Sequence, residues 1–417
     1  MNNDMTSRLK DARAASRQLL GVEAAAIDDL LRQCADALVA HTDAILEANA
    51  SDLKNLDPSD PRYDRLSLSA DRIAAIAGDM RAVAGLPSPL GRTLEERTLP
   101  NGLELRKVSV PFGVIGVIFE ARPNVSCDVA SLCLKSGNAC VLKGGHEAAE
   151  SNRALVSVIH EVLRRNGLPE EAVTLLPPTR EATSELLAAR GLVDLIIPRG
   201  SSGLIEYVRS NAKVPVIETG AGVCHAYFES SASADMAAAI VCNAKTRRVS
   251  VCNALDCLLV DSSRLADLPQ VCAPLAGHNV VIHADSRAFE ALSGSYPSDL
   301  LVPLTTDDLG REYLSYAMSV VTVEGVDSAI EHISRYGSGH SESIITSDES
   351  AAARFQTLVD AACVYVNAPT SWTDGAQFGL GAEIGISTQK LHARGPMALR
   401  ELTTYKWLIR GSGQLRP

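Results

Sequence analysis

Val114–Phe119, which reads Val-Ile-Gly-Val-Ile-Phe, is the stretch that decides the fold. A run without any polar side chain is typical of a strand buried on both faces of a parallel sheet. Further strand candidates at 139–143, 173–176, 193–197 and 214–217 alternate with segments of helical periodicity. This alternation predicts a doubly wound α/β sheet, in which ligands bind beyond the carboxyl ends of the strands.

Two regions extend this architecture on either side. Residues 24–48 and 69–83 carry apolar side chains at intervals near 3.6 and predict helices before the first strand. A second α/β block is predicted to begin near Tyr227, with strand candidates at 257–260, 280–282, 318–323, 343–346 and 362–366. The predicted fold class is therefore α/β with two doubly wound parallel sheets.

A hairpin is predicted between the first helices and the first sheet. Arg97–Leu99 and Leu103–Val108 flank Pro100-Asn101-Gly102, and Asn-Gly between strand-like runs is the strongest short hairpin signal. The last strand-like segment, 399–409, is predicted to pair with the hairpin of a neighbouring subunit. We therefore expect a homo-oligomer with a small β arm.

The charge balance and the cysteines narrow the function classes. The 417 residues include 39 Lys and Arg against 50 Asp and Glu, a net charge of −11, which makes nucleic acid an unsuitable partner. The ten cysteines show no repeated Cys-x-x-Cys spacing and no tight Cys/His cluster in the sequence, so no metal site is predicted. Because no apolar leader or membrane-spanning run is apparent, we expect a cytoplasmic protein with free thiols and no membrane partner.

The segment after the strand at 193–197 can be interpreted as a phosphate-binding loop. Pro198–Gly203 contains Gly200 and Ser201, and glycines between a strand and a helix let backbone N–H groups face an anion. Lys143 ends a neighbouring strand and could place an ammonium group beside the same anion. The alternative is a tight strand-to-helix turn. No Gly-x-Gly-x-x-Gly motif is present, so a standard Rossmann dinucleotide loop is not predicted.

Cys252 is the candidate nucleophile. It closely follows Lys245, Arg247 and Arg248 in an otherwise acidic chain. Positive charge favours the thiolate, which is the nucleophilic form of cysteine, and the same cations could hold an anionic substrate. The alternative is a basic surface loop beside a buried cysteine, and the local sequence does not decide between the two.

Three polar residues are further candidates. Asn124 follows the first buried strand and could donate to an oxyanion, although the local sequence favours an Asn that satisfies a turn. Glu218 follows the strand at 214–217 and could either face a cleft or cap a loop. His340 follows Gly337-Ser338-Gly339, and the local sequence favours a structural role for it, although this setting permits close approach of a ligand.

Several strings of this sequence resemble the aldehyde dehydrogenase superfamily and, more closely, its family of γ-glutamyl phosphate reductases, also called glutamate-5-semialdehyde dehydrogenases. The strings that carry the closer resemblance are Phe119–Val125, Ile217–Tyr227, Val251–Ala254, Tyr336–His340 and Phe378–Glu401. The resemblance implies an aldehyde dehydrogenase-like fold with two α/β domains.

This resemblance also implies a reaction. Cys252 would attack the acyl phosphate of L-glutamyl 5-phosphate, expel phosphate and form a thioester. Asn124 and the backbone N–H of Cys252 would stabilise the oxyanion. Hydride from NADPH would give L-glutamate 5-semialdehyde, which is the second step of proline biosynthesis from glutamate. Glu218 matches a general base of hydrolytic relatives and would here orient groups or carry a proton. The alternative function is a hydrolytic NAD(P)-dependent aldehyde dehydrogenase.

The resemblance assigns binding roles to two further groups of residues. The residues expected to bind NADPH are Lys143, Gly200, Ser201 and Glu312. The candidates for the carboxylate and phosphate of the substrate are Arg122, Arg247, Arg248 and His340. Contact with the upstream glutamate 5-kinase is also plausible, because the acyl phosphate is labile.

The resemblance finally implies a division into three units. The cofactor-binding domain comprises 1–91 and 111–226, the catalytic domain 227–390, and the oligomerisation hairpin and strand 92–110 and 391–417. Val249 and Ser371 depart from the family pattern, in which proline and arginine are expected at these positions. The cation that binds the substrate carboxylate is therefore left open.

Overall fold

The chain begins with five helices, of which the first packs directly against strands of the first parallel sheet. The computed structural model describes residues 3–54, 56–57 and 60–416. The helix bounds are α1 Asn3–Leu19, α2 Ala24–Ala40, α3 Thr42–Leu53, α4 Pro61–Leu66 and α5 Ala70–Gly85. The apolar stripe of α2, which includes Ile27, Leu31 and Leu38, is buried because this helix packs against α5. Ser69 caps α5 by accepting the N–H of Arg72.

A β arm follows these helices. Strands β1 (Thr93–Thr98) and β2 (Glu104–Pro111) form the predicted antiparallel hairpin. Gly102 adopts a φ of 84° in the turn, which a glycine tolerates without strain. The hairpin prediction is confirmed.

The first parallel sheet contains the decisive stretch Val114–Phe119, which is buried along its whole length as predicted. Its elements are β3 Val114–Phe119, α6 Asn124–Lys135, β4 Ala139–Lys143, α7 Ala149–Arg165, β5 Val173–Leu175, α8 Arg180–Leu187, β6 Leu195–Arg199 and α9 Ser202–Asn211. The strand order is β5-β4-β3-β6. The chain therefore reverses its winding direction between β3 and β6, which is where open α/β sheets bind ligands.

The second parallel sheet is larger. Its elements are β7 Cys224–Phe228, α10 Ala234–Thr246, β8 Leu255–Asp261, α11 Leu268–Ala276, β9 Val281–Ala284, α12 Ser286–Leu292, β10 Leu301–Pro303, β11 Ala317–Val323, α13 Gly325–Tyr336, β12 Ser341–Ile345, α14 Glu349–Leu358 and β13 Cys363–Val366. The strand order is β10-β9-β11-β8-β7-β12-β13. The prediction of two parallel α/β sheets is confirmed.

The last part of the chain returns to the first sheet and to the arm. A short antiparallel pair, β14 (Gly385–Ser387) and β15 (Gly395–Met397), precedes β16 (Thr403–Arg410). Apolar side chains between Ile384 and Leu402 pack into the same core as the first sheet. The sequence pattern did not predict that this late segment packs on the first sheet. The division into three domains stays a proposal.

Three predictions about strands need correction. The segment 214–217 forms no regular strand and contributes one parallel bridge from Val216 to Ile196. Strand β7 begins at Cys224, before the predicted start near Tyr227. Strand β16 pairs along its length with β2 of its own chain, so the pairing predicted with a neighbouring subunit is wrong. In the described part of the chain, no helix combines the length and apolarity needed to cross a membrane.

Candidate active site

The turn that carries Cys252 lies between α10 and β8 and is fixed by its backbone. The Sγ–H of Cys224 donates to the carbonyl oxygen of Cys252 at 3.3 Å. Gly222 packs so closely on the same carbonyl that a Cβ atom at this position would overlap it. The Cys252 side chain is partly exposed, whereas Cys224 is buried. The fold therefore presents this thiol from a rigid turn.

The pKa of the Cys252 thiol is raised to about 11. Burial is the largest cause, the carboxylates of Glu383 and Glu312 raise it further, and Arg199 acts in the opposite direction. The predicted lowering of this pKa by the preceding basic residues is wrong. With a pKa of about 11 the thiol is mostly protonated at neutral pH.

The three cations near Cys252 in sequence point in different directions. Lys245 is fully buried on α10, with its ammonium 3.7 Å from Oδ1 of Asp256, and burial lowers its pKa. Arg247 and Arg248 are exposed. Burial raises the pKa of Asp256 to about 6, against the opposing influence of Lys245. Lys245 therefore pairs with Asp256 in the core instead of with the thiol.

Several guanidinium groups act electrostatically on one another near the thiol. Burial lowers the pKa of Arg122, and repulsion from Arg199, Arg65 and Arg248 lowers it further, while Cys252 opposes this effect. Arg199 ends β6, and burial lowers its pKa also. Several positive charges at one cleft create a binding place for an anion. Sequence reasoning included Arg122 and Arg248 but missed Arg199, which lies within the predicted phosphate loop, and Arg65, which has no local signal.

Asn124 is the first residue of α6 and lies beyond the carboxyl end of β3. Its side-chain Nδ2 donates to Oδ2 of Asp128 at 2.9 Å. Burial raises the pKa of Asp128 to about 6, and the hydrogen bond from Asn124 lowers it. An amide group has two donor hydrogens, so Asp128 fixes the orientation of Asn124 and one hydrogen remains.

Glu218 makes contacts away from the thiol. Its N–H donates to Oε1 of Gln389 at 3.1 Å, and Nε2 of Gln389 donates to its carboxylate at 3.5 Å. Nη1 of Arg209 lies 3.8 Å from the same carboxylate. The carboxylates that act electrostatically on Cys252 are instead Glu383 and Glu312.

Glu383 and Glu312 are each oriented by a backbone N–H group. The N–H of Gly375 donates to Oε2 of Glu383 at 2.8 Å, and burial raises the pKa of this carboxyl. The N–H of Gly222 donates to Oε1 of Glu312 at 3.0 Å. Glu312 was expected at a cofactor site, whereas sequence reasoning missed Glu383, which lies within the quoted string Phe378–Glu401.

His340 is fully buried, and its environment does not suit a cation. Burial lowers its pKa to about 4, so the ring is neutral at pH 7. Its Nδ1 lies 2.8 Å from Oγ of Ser341, and that hydroxyl lies 2.6 Å from Oγ1 of Thr373. The structure thus gives no support for His340 as a charged partner of the substrate.

The predicted phosphate loop is exposed, and a carboxylate of the protein itself accepts hydrogen bonds from it. Ser201 caps α9 by accepting the N–H of Leu204 at 3.4 Å. The N–H and Oγ of Ser201 donate to the carboxylate of Glu120 at 2.9 and 2.8 Å. A carboxylate therefore lies where the helix N-terminus would favour a phosphate.

A cavity of about 560 Å³ adjoins this loop. Its lining combines apolar and charged side chains, among them Ile118, Glu120, Lys143, Glu147, Arg180, Leu204 and Tyr207. Burial lowers the pKa of Lys143, and Glu147 opposes this effect. The volume and mixed lining are those of a site for a small organic cofactor.

Comparisons with known proteins show the family of the chain. Residues 2–278 match the aldehyde dehydrogenase family. The γ-glutamyl phosphate reductase of Parabacteroides distasonis is 59% identical over 98% of both chains. The chain belongs to the γ-glutamyl phosphate reductases of the aldehyde dehydrogenase family. The resemblance predicted from the sequence strings is confirmed, and the reductase of Bacteroides fragilis, 58% identical over 97% of both chains, is a second such relative.

Solved structures extend the comparison to the fold. The γ-glutamyl phosphate reductase of Thermotoga maritima is 40% identical and superposes with a TM-score of 0.95 over 100% of both chains. An acetylating aldehyde dehydrogenase from Geobacillus thermoglucosidasius, 19% identical, covers 99% of this chain with a TM-score of 0.69 and shares the fold. The aldehyde dehydrogenase-like architecture predicted for this γ-glutamyl phosphate reductase family member is confirmed.

Proposed function

We propose that the chain reduces L-glutamyl 5-phosphate to L-glutamate 5-semialdehyde and phosphate with NADPH, the second step of proline biosynthesis from glutamate. The observation that carries this proposal is the partly exposed Cys252 thiol within a cluster of arginines, in a chain that is 59% identical to a γ-glutamyl phosphate reductase. A thiol can accept an acyl group, and guanidinium groups suit carboxylate and phosphate.

The first step is attack of the Cys252 sulfur on the acyl carbon, which breaks the bond to phosphate and forms a thioester. Arg199 stabilises the thiolate, because it is the cation that lowers the pKa of this thiol. Glu383 is the proposed acceptor of the thiol proton, since its carboxylate acts electrostatically on Cys252 and burial raises its pKa above the ordinary range. Arg122 and Arg248 would hold the anionic groups of the substrate, with the exposed Arg247 as a further candidate.

The oxyanion of the tetrahedral species is stabilised by Asn124 and by the backbone N–H of Cys252. Asp128 supports this role, since it accepts one amide hydrogen of Asn124 at 2.9 Å and leaves the other directed elsewhere. A donor that is oriented before the reaction costs no reorganisation when charge develops.

The chain's own residues fit the cofactor. Lys143 borders the cavity of about 560 Å³. Ser201 caps α9, whose Leu204 also lines this cavity, and Gly200 directly precedes the cap. These residues would hold the adenosine ribose and the phosphates, and Glu312 would hold the nicotinamide ribose. NADPH, when bound, supplies the hydride that reduces the thioester.

A hydrolytic reaction is the weaker candidate. Hydrolysis requires a base that activates water beside the thioester, and Glu218 matches that base in relatives. Here its carboxylate contacts Gln389 and Arg209. We therefore assign Glu218 to orienting this region, and phosphate rather than water is the nucleophile in the reverse reaction.

The decisive experiment runs the reaction in reverse. The purified chain should oxidise glutamate 5-semialdehyde with NADP only when phosphate is supplied, and Cys252→Ala should abolish turnover. Cys242→Ala is the matched control, because Cys242 is also partly exposed but lies on α10. An equal rate without phosphate, with free glutamate as product, would contradict the proposal and support the hydrolytic alternative.

We also propose that the chain forms a homo-oligomer through the arm. The outer strand β16 exposes Tyr405 (52%), Trp407 (37%) and Ile409 (63%), and an exposed row of apolar residues favours association. Monomeric behaviour in sedimentation at micromolar concentration would contradict this.

Contact with glutamate 5-kinase is a further proposal, which a pull-down with the kinase tests. Ten free cysteines support a reducing, cytoplasmic compartment.

A further inference from the structure

A buried group of metal-binding side chains lies across the second sheet, apart from the substrate cleft. His225 on β7 is in register with Cys257 on β8 and with Glu342 on β12. Residues in register on neighbouring parallel strands point to the same face of the sheet. Helix α13 covers this face and contributes His332, whose ring lies 5.5 Å from that of His225 between centroids.

The ligand atoms of three side chains converge. One atom each from His225, Cys257 and His332 lies within 4.8 Å of the other two. A tetrahedral zinc ion with N and S ligands requires about 3.3–3.6 Å between ligand atoms, as its bond lengths dictate. Small side-chain rotations would bring the three atoms to this separation.

The hydrogen bonding around the group is incomplete in the described part of the chain. Nε2 of His225, Nε2 of His332 and Oε1 of Glu342 are buried and have no hydrogen-bond partner. Buried polar atoms without partners are costly, and native structures rarely contain several together. A bound cation would provide the partner that both histidine rings lack.

Glu342 prepares His225 for metal binding. Oε2 of Glu342 accepts the backbone N–H of His225 at 2.8 Å and lies 3.0 Å from the ring Nδ1. Since Nδ1–H donates to this carboxylate, Nε2 carries a free lone pair. A carboxylate behind a histidine in this way is the usual support of a metal-ligating imidazole.

The charges of the group also suit a cation. A metal ion binds cysteine as the thiolate, so binding at Cys257 releases a proton. A divalent ion, a thiolate and the Glu342 carboxylate together carry no net charge, which limits the cost of burying them.

We propose that His225, Cys257 and His332 bind a divalent transition-metal ion of the zinc type, with Glu342 orienting His225 and water in the fourth position. The sequence predicted no metal site because the three ligands are far apart in the chain. The ion would tie β7, β8 and α13 together. Cys224 directly precedes His225 and contacts the Cys252 carbonyl. The bound ion would therefore stabilise the strand beneath the catalytic turn.

The test uses the full chain with the Cys252→Ala substitution, so that the catalytic thiol cannot bind the probe. Chelator-treated protein is titrated with Co²⁺ alone and then with Zn²⁺ alone. We expect about one equivalent of Co²⁺, a near-ultraviolet thiolate-to-cobalt absorption band, loss of this band on adding Zn²⁺, and a higher melting temperature with Zn²⁺. Absence of uptake and of the band would overturn the proposal.

Variants on the same background locate the ion. Cys257→Ser should remove the absorption band, and His332→Gln should weaken Zn²⁺ binding by at least about 100-fold, more than the roughly 10- to 100-fold expected for Glu342→Gln. Cys272→Ala is the matched control, since Cys272 is buried on the opposite face of the sheet. If Cys257→Ser does not fold, His332→Gln decides the question. Unchanged binding in His332→Gln would place the ion elsewhere and overturn the proposal.

Discussion

The turn that carries Cys252 and the loop that carries Ser201 are built differently. The carbonyl of Cys252 packs on Gly222, and the buried side chain of Asn253 donates to the carbonyl of Thr373 at 3.0 Å. Ser201 is exposed, and its donors are engaged by the side chain of Glu120. Contacts within the folded chain fix the turn of Cys252. The loop of Ser201 instead binds the Glu120 carboxylate, which an anionic ligand can replace.

This difference teaches how the site divides its tasks. A nucleophile must be positioned within a fraction of an ångström, so backbone contacts from several segments fix its turn. A cofactor must enter and leave in every cycle, and its phosphates need donors that are exposed. A carboxylate on those donors satisfies them between cycles without filling the cleft.

The largest effect is expected from breaking the rigid turn. Gly222→Ala would place a Cβ atom into the carbonyl of Cys252, so the turn must shift. We expect a loss of turnover of about 100-fold or more, as for a displacement of a reacting group by about 1 Å. The phosphate-dependent assay measures this loss. In the matched control Gly78→Ala, the added Cβ meets nothing within 4 Å, so activity should be retained. Full activity of Gly222→Ala would show that the turn tolerates movement.

An intermediate effect is expected from changing the charges at the thiol. Because burial and Glu383 raise the pKa of Cys252 to about 11, the rate of its alkylation by iodoacetamide should rise about tenfold per pH unit between pH 7 and 10. Arg199→Gln should raise this pKa and slow alkylation at pH 8, whereas Glu383→Gln should lower it and speed alkylation, each by about one pKa unit.

Turnover separates the two charge variants further. Glu383→Gln should react faster with iodoacetamide yet reduce its substrate more slowly, because the proposed proton acceptor is lost. Mass spectrometry of the labelled Cys252 peptide and the phosphate-dependent assay provide the two readouts. Equal shifts in the same direction for both variants would contradict the assigned charges. Arg164→Gln, an exposed surface change, is the control.

The fold could be predicted from the sequence to a large extent because its signals are local. The buried run Val114–Phe119 and the Pro100-Asn101-Gly102 turn specify their elements from neighbouring residues alone. The segment 214–217 has the composition of a strand, but it forms a single isolated bridge, between Val216 and Ile196. The partner of β16 was mispredicted because pairing within a chain and between chains leaves the same local pattern.

The site was less predictable because it depends on directions and on distant segments. Lys245 lies near Cys252 in sequence, but the helical turn of α10 directs it into the core. Arg199 ends a strand of the other sheet, and only the packing of the two sheets brings its charge to the thiol. His225 and His332 illustrate the same limit, since no short motif joins them.

The smallest effect is expected from the anion on the cofactor loop. Glu120→Gln keeps the shape of the side chain but removes the negative charge from the donors of Ser201. A single charge near a helix N-terminus is worth about 0.3–1 kcal/mol, so NADPH should bind roughly two- to fivefold more tightly. Fluorescence titration with NADPH measures this affinity, and Glu104→Gln, at the start of β2 in the arm, controls for net charge. Weaker binding in Glu120→Gln would instead mean that the carboxylate is needed to shape the loop. The contrast between a completed turn and a replaceable anion would then fail, because both elements would depend on fixed internal contacts.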